Sequence, residues 1–204
     1  SRRMGAFKPL LPFPSGRTAV EACIESLRAA GVGEIVVVVG HRADEVRAAL
    51  KGAAVEFAVN DEPESEMGVS VARGVEKVSD KARAVLVGLV DQPAVTPEDV
   101  RGVLEARAGS GARLVVPTWE GRGGHPVLVD LAFREELLGV VAREGLRALF
   151  DAHREEVLRL PAASPYVARD VDTWEDYRAL YAEVFGVAPP DERRSYLRKG
   201  APRR

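Results

Sequence analysis

Glu34-Ile35-Val36-Val37-Val38-Val39-Gly40 is the stretch that decides the fold. A β-branched run closed by glycine has neither the alternation of a half-exposed strand nor the spacing of an amphipathic helix. It is the pattern of a strand covered on both faces, as found in parallel sheets packed between helices. Working outward, Ala84-Val85-Leu86-Val87-Gly88-Leu89-Val90 and Ala112-Arg113-Leu114-Val115-Val116-Pro117 repeat it. Between them lie helix-start signals: Thr18 with Glu21 three residues on, Thr96 followed by Pro97, and Thr173 with Asp176. A threonine hydroxyl and a carboxylate at that spacing cap each other's backbone N–H groups.

Weaker strands are expected at Val55 to Val59, His125 to Val129, Val157 to Leu160 and Val167 to Val171. Further helices are expected at Asp44 to Leu50, Val69 to Val78, Leu131 to Leu138 and Gly145 to His153. Strands alternating with helices predict an α/β fold, a single three-layer α/β/α domain with a mostly parallel sheet. The domain is expected to span residues 1–188, and residues 189–204, with Arg193, Arg194, Arg198, Lys199, Arg203 and Arg204, read as a solvated basic tail.

A chain of 204 residues, 46% of them hydrophobic, supports one core. Its 29 Lys and Arg against 31 Asp and Glu give a net charge of -2, so no global field draws it to nucleic acid or an anionic membrane. The single cysteine, Cys23, lies among Val20, Ile24 and Leu27 at helical spacing and reads as a core thiol. One cysteine closes no internal disulfide, and no apolar run reaches the roughly 20 residues of a membrane span, so a cytoplasmic, soluble protein is expected. The opening Ser1-Arg2-Arg3-Met4 resembles no natural start, and further residues are expected ahead of it.

Four segments could carry chemistry. Ser1-Arg2-Arg3-Met4-Gly5-Ala6-Phe7-Lys8 places cations around a glycine, which suits phosphate oxygens. With few apolar contacts of its own it is expected to be mobile without an anion, and Lys8 to be exposed. Asp91 directly follows the strand ending at Val90, at the carboxyl edge where open α/β sheets bind ligands. A carboxylate there can hold Mg²⁺, and a loop or helix-capping aspartate is the alternative. Asp170 and Asp172 stand at another strand-to-helix junction, one residue apart and so on one side of an extended chain. Gly121-Arg122-Gly123-Gly124-His125-Pro126 is a glycine segment that lets backbone approach a ligand, with a plain turn as the alternative. No G-x-G-x-x-G follows the strand ending at Gly40, which argues against a dinucleotide-dependent oxidoreductase.

Together these segments resemble the MobA-like nucleotidyltransferases, most of all the molybdenum cofactor cytidylyltransferases. The family opens with a strand and L-A-A-G-x-S-x-R-M-G-x-x-K. Ser1, Arg3, Met4, Gly5 and Lys8 match its second half, with Leu10-Leu11-Pro12 following, while the strand and L-A-A-G are absent from this chain. Further matches come in order: Ala30-Gly31, Asn60 ahead of Met67 and Ser70, Asp91-Gln92-Pro93, Gly124-His125-Pro126, Gly145 with Arg147, and Asp170-Val171-Asp172-Thr173 with Glu175-Asp176-Tyr177. Glu66-Met67-Gly68-Val69-Ser70 departs from the usual G-M-x-x-S, and the glycine turn has one glycine more than R-G-H-P.

The resemblance implies a Rossmann-like sheet of the nucleotide-diphospho-sugar transferase type. It implies transfer of a nucleoside monophosphate from a triphosphate, CTP favoured over GTP, to a phosphorylated acceptor such as molybdopterin, with release of pyrophosphate. Arg3, Lys8 and Asp91 would be catalytic; Ser1, Arg3, Gly5, Lys8, Asn60 and Ser70 would hold the nucleotide; Arg122, Gly124, His125 and Arg147 would face the acceptor; and Asp91 with Asp170 or Asp172 would ligate Mg²⁺. A molybdoenzyme or its chaperone is an implied partner. The alternatives are a different phosphorylated acceptor, as in guanylyltransferases or sugar-phosphate enzymes, and a catalytically silent nucleotide-binding chaperone.

Overall fold

A computed structural model describes residues 4–62 and 65–190. Ser1, Arg3 and the basic residues from Arg193 onward lie outside the described residues. In chain order the elements are β1 (Pro12–Phe13), β2 (Arg17–Thr18), α1 (Ala19–Ala29), β3 (Val36–Val39), α2 (Ala43–Ala49), β4 (Glu56–Val59), α3 (Met67–Lys77) and β5 (Ala84–Val87). They continue as α4 (Pro97–Ser110), β6 (Leu114–Trp119), β7 (Arg122–Gly123), β8 (Val127–Asp130), α5 (Arg134–Leu138), α6 (Val140–Glu144), α7 (Leu146–Ala152), β9 (Val157–Pro161) and α8 (Trp174–Phe185). The three threonine signals each start a helix: Thr18 N–H donates to Glu21 at 2.7 Å, Asp99 N–H to Thr96 Oγ1 at 3.2 Å and Thr173 N–H to Asp176 at 2.7 Å.

The architecture is three-layered. Alternation along β6 sends Leu114 and Val116 to one face, against Val71 and Val75 of α3 and Leu137, Val141 and Leu149 of α5 to α7. Val115 turns the other way, with Leu128 of β8, onto Val103 of α4. On that second face Val20 and Ile24 of α1 and Val46 of α2 cover Ile35 and Val39.

β3 pairs in parallel with β4, and β6 in parallel with β9, as the β-branched runs predict. β8 runs antiparallel between β5 and β6. The cause is local: Glu120 and Gly121, both at positive φ (48° and 79°), form a two-residue turn between Trp119 and Arg122, and so tight a link only reverses a chain.

The strand expected at Val167 to Val171 does not form. Residues Pro165–Ala168 make a 3₁₀ turn instead, since Pro165 fixes a helical φ at its first position and leaves no donor for a ladder. Leu131–Phe133 is likewise a 3₁₀ turn that precedes α5. Among the described residues no helix is long and apolar enough to cross a membrane.

The glycines of two helices separate close packing from free surface. A Cβ on Gly68, in the first turn of α3, would stand 1.9 Å from the Val141 carbonyl oxygen of α6. On Gly109 of α4 it would meet nothing within 4 Å. Gly68→Ala is therefore expected to lose about 2–4 kcal/mol in a urea unfolding titration, while Gly109→Ala gains about 0.5–1 kcal/mol from helix propensity. Equal effects from the two would contradict this packing.

Candidate active site

The carboxyl end of β5 gathers three parts of the chain. The first is the amino-terminal segment, where Met4 and Ala6 are 4% and 6% exposed, packed with Leu11, Phe13, Val171 and Tyr177. Gly5 turns between them at a φ of 66°. The expectation of a mobile segment is thus corrected for residues 4–8: two small-to-medium apolar side chains on either side of the glycine anchor it in the core. Lys8 opens a 3₁₀ turn (Lys8–Leu10) and is itself buried, not exposed as expected.

The second part is Asp91, and the third the link into α8, tied to it by Val171 N–H donating to the Asp91 carbonyl at 2.8 Å. Lys8 Nζ lies 2.7 Å from Asp172 Oδ1 and 3.3 Å from Asp91 Oδ2. Burial alone would lower the Lys8 pKa, but the Asp172 hydrogen bond and the charges of Asp91 and Asp172 outweigh it and hold the ammonium above its ordinary range. Asp170 is held separately: the Gln92 side-chain amide donates to its Oδ1 at 2.8 Å. The two neighbouring acids therefore divide their roles, Asp172 toward the lysine and Asp170 toward the glutamine, with Val171 buried between them.

Among the described residues no three His, Cys, Asp or Glu side chains cluster as a metal cage. Of the two acids expected beside Asp91, Asp170 is held aside by Gln92, and Asp172 lies with Asp91 around Lys8. Asp91 and Asp172 nevertheless share a cation already, the Lys8 ammonium, and two carboxylates beside phosphate oxygens are the donor set Mg²⁺ takes.

His125 Nδ1 donates to the Val87 carbonyl at 2.9 Å, since a carbonyl only accepts. Burial lowers its pKa, offset in part by that hydrogen bond and by Asp170 and Asp91. Its backbone N–H donates to the Val167 carbonyl at 2.8 Å. Gly124 makes this approach possible, because a Cβ there would stand 2.0 Å from the same oxygen. Gly124 thus packs against the turn leading to Asp170, a structural duty the glycine pattern did not reveal.

Other expected contacts lie elsewhere. Arg122 sits exposed in the β6–β7 hairpin. The Arg147 side chain is 93% exposed on α7, near Asp151 at 3.6 Å. Asn60 is buried, its Nδ2 donating to Ser65 and Ser70 hydroxyls at 2.9 Å and its Oδ1 accepting from Glu62 N–H at 3.1 Å, so it and Ser70 fasten the end of β4 to α3. Burial and then Asp91 push the Cys23 thiol up to about 12, leaving no thiolate nucleophile. Gln92, quoted within Asp91-Gln92-Pro93 but given no role from sequence, is the partner that holds Asp170.

A MobA-like NTP transferase domain matches residues 1–157, and the chain belongs to that family. It is a nucleotidyltransferase by that membership. The chain is 29% identical to nicotine blue oxidoreductase of Paenarthrobacter nicotinovorans, over 85% of this chain and 87% of the relative. Among solved structures, Rv0371c of Mycobacterium tuberculosis H37Rv in complex with manganese superposes with a TM-score of 0.70 at 28% identity, covering 87% of this chain and 93% of that one. A nucleotidyl transferase of a Methanothermobacter species superposes with a TM-score of 0.72 at 27% identity, covering 86% and 84%.

The His125 environment sets a pH dependence. A folded pKa below the unfolded value means that the unfolded chain binds the proton first, so stability is full above about 6.5 and declines as pH falls toward the folded pKa. His125→Asn, which keeps a donor toward Val87, is expected to flatten that decline in thermal melts between about pH 6.5 and 5. A slope unchanged from the parent would show that His125 does not report this burial. Lys8→Met is expected to lower stability by about 1–2 kcal/mol, because it leaves two carboxylates facing each other; no loss in a denaturant titration would contradict the bridge.

Proposed function

We propose that the chain transfers a nucleoside monophosphate from a nucleoside triphosphate, CTP in preference to GTP, to a phosphorylated acceptor of the molybdopterin type, releasing pyrophosphate. The observation that carries this reading is the Lys8 ammonium shared by Asp91 and Asp172 at the carboxyl end of β5. Asp91 and Asp172 would hold a divalent cation, Mg²⁺ or Mn²⁺, which when bound neutralises phosphate charge. The manganese complex of Rv0371c supports divalent metal use. Lys8, no longer needed between its carboxylates, neutralises charge on the triphosphate as it breaks. An acceptor phosphate is already ionised, so no general base is required. Gln92 fixes Asp170, and neutral His125 presents its unprotonated Nε2 as an acceptor for a donor on the substrate. Arg3 and Ser1 would extend the phosphate contacts.

A second reading takes its support from the relative named nicotine blue oxidoreductase, which this chain matches over most of both lengths. Turnover of nicotine blue without pyrophosphate release is its signature. Pyrophosphate release from CTP or GTP, with and without molybdopterin, separates the two. Asp91→Ala and Asp172→Ala are each expected to lose at least about a hundredfold in turnover, and Asp170→Ala less. Parental turnover in Asp91→Ala would remove it from the reaction.

A further inference from the structure

At the end of β5 away from Asp91, a cavity of about 390 Å³ is lined by arginines from three separate parts of the chain. Arg83 leads into β5, Arg107 comes from α4, and Arg134 opens α5. β8 runs antiparallel to β5 and pairs Asp130 with Ala84, which brings the turn into α5 to the same edge. Strand β5 therefore runs from this cavity toward the Lys8 site.

The lining holds more hydrogen-bond donors than acceptors. A guanidinium carries five N–H donors and accepts nothing. Arg107 donates from Nη2 to Asp130, but its Nε is buried without an acceptor. Arg134 reaches the Val78 carbonyl at a long 3.4 Å from both Nη1 and Nη2. The Arg83 side chain is exposed and has no hydrogen-bond or ion-pair partner among the described residues. On the acceptor side, Asp130 is committed to Arg107 and to Ala132 N–H at 2.9 Å, and Ser79 Oγ accepts from Lys81 N–H at 3.2 Å. Asp80, also exposed, is the one uncommitted carboxylate of the lining among the described residues. With Arg107 and Asp130 neutralising each other, Arg83 and Arg134 leave an excess of positive charge over Asp80. A carboxylate presents two oxygens in one plane and suits a single guanidinium fork. A phosphate group presents oxygens in three directions, which matches guanidinium groups arriving from three elements.

We propose that this cavity is a second anion site, remote from the Lys8 site, and that it takes a phosphate group through Arg83 and Arg134, with Arg107 steadied by Asp130. Its volume is that of a small-molecule site, so it also accepts a compact organic group carried by the phosphate. The inference stands apart from the proposed reaction, and its readout is not activity.

Amide NMR titrations of the 204-residue chain test it, with inorganic phosphate, glycerol phosphate and succinate added separately at constant ionic strength and without divalent cation. Both phosphates are expected to shift the signals of Asp80, Arg83 and Ala132 along saturable curves; tighter binding of the ester assigns a phosphorylated small molecule as the ligand, tighter binding of the free ion assigns inorganic phosphate. Arg83→Gln removes an exposed side chain without a partner in the fold, so it is expected to keep the parental melting temperature and to weaken that binding at least about tenfold, with Arg83→Lys in between. Shifts confined to Lys8 and Gln92, parental affinity in Arg83→Gln, or succinate binding as tightly as the phosphates would each overturn the proposal.

Discussion

A buried ammonium needs partners, and Lys8 finds them in carboxylates 83 and 164 residues further along the chain. That one cation decides where three distant segments meet. Asp91 can face it only because β5 ends just before, and Asp172 only because Val171 is pinned to the Asp91 carbonyl while Thr173 and Asp176 start α8 directly afterwards. The apolar side of the same junction is as specific: Tyr177 donates to the Pro12 carbonyl at 2.5 Å, and Phe13 meets Tyr181 and Phe185 edge to face. Helix α8 thus locks the amino-terminal segment in place on the far side of the residues that carry charge.

The site couples positioning to charge. Gln92 and Lys8 each take one member of the Asp170 and Asp172 pair, so the carboxylates do not repel one another across an empty space. The Lys8 ammonium between Asp91 and Asp172 keeps both carboxylates paired. Neutral His125, fixed through Val87 and the close approach at Gly124, is placed by backbone and not by other charged groups.

The fold was largely legible because its signals were local. Valine runs marked β3 and β5, and threonine caps marked α1, α4 and α8, since each depends on residues within a turn or a strand. The antiparallel sense of β8 was not, because it follows from positive φ at Glu120 and Gly121, which composition alone does not specify. Pro165 was a readable reason to expect a turn where Val167 to Val171 suggested a strand. At the site, Lys8, Asp91 and Asp172 were named from the family pattern, but the burial of Lys8 and the diversion of Asp170 arise from contacts 78 residues or more apart in sequence. Arg147 follows Gly145 as in the pattern and Arg122 stands one residue out of it, and their side chains are exposed on α7 and on a hairpin, where no local signal distinguishes them from ordinary surface arginines.

The central claim is that Asp91 and Asp172 form the cation site. Paramagnetic broadening of backbone amide signals by substoichiometric Mn²⁺, in the presence of a non-hydrolysable CTP analogue, locates such a site directly. The account predicts that signals of Lys8, Gln92, Val171 and Thr173 vanish first, while those around Arg147 and Asp130 persist. Broadening centred on Asp130, or spread evenly over the acidic surface, would contradict it.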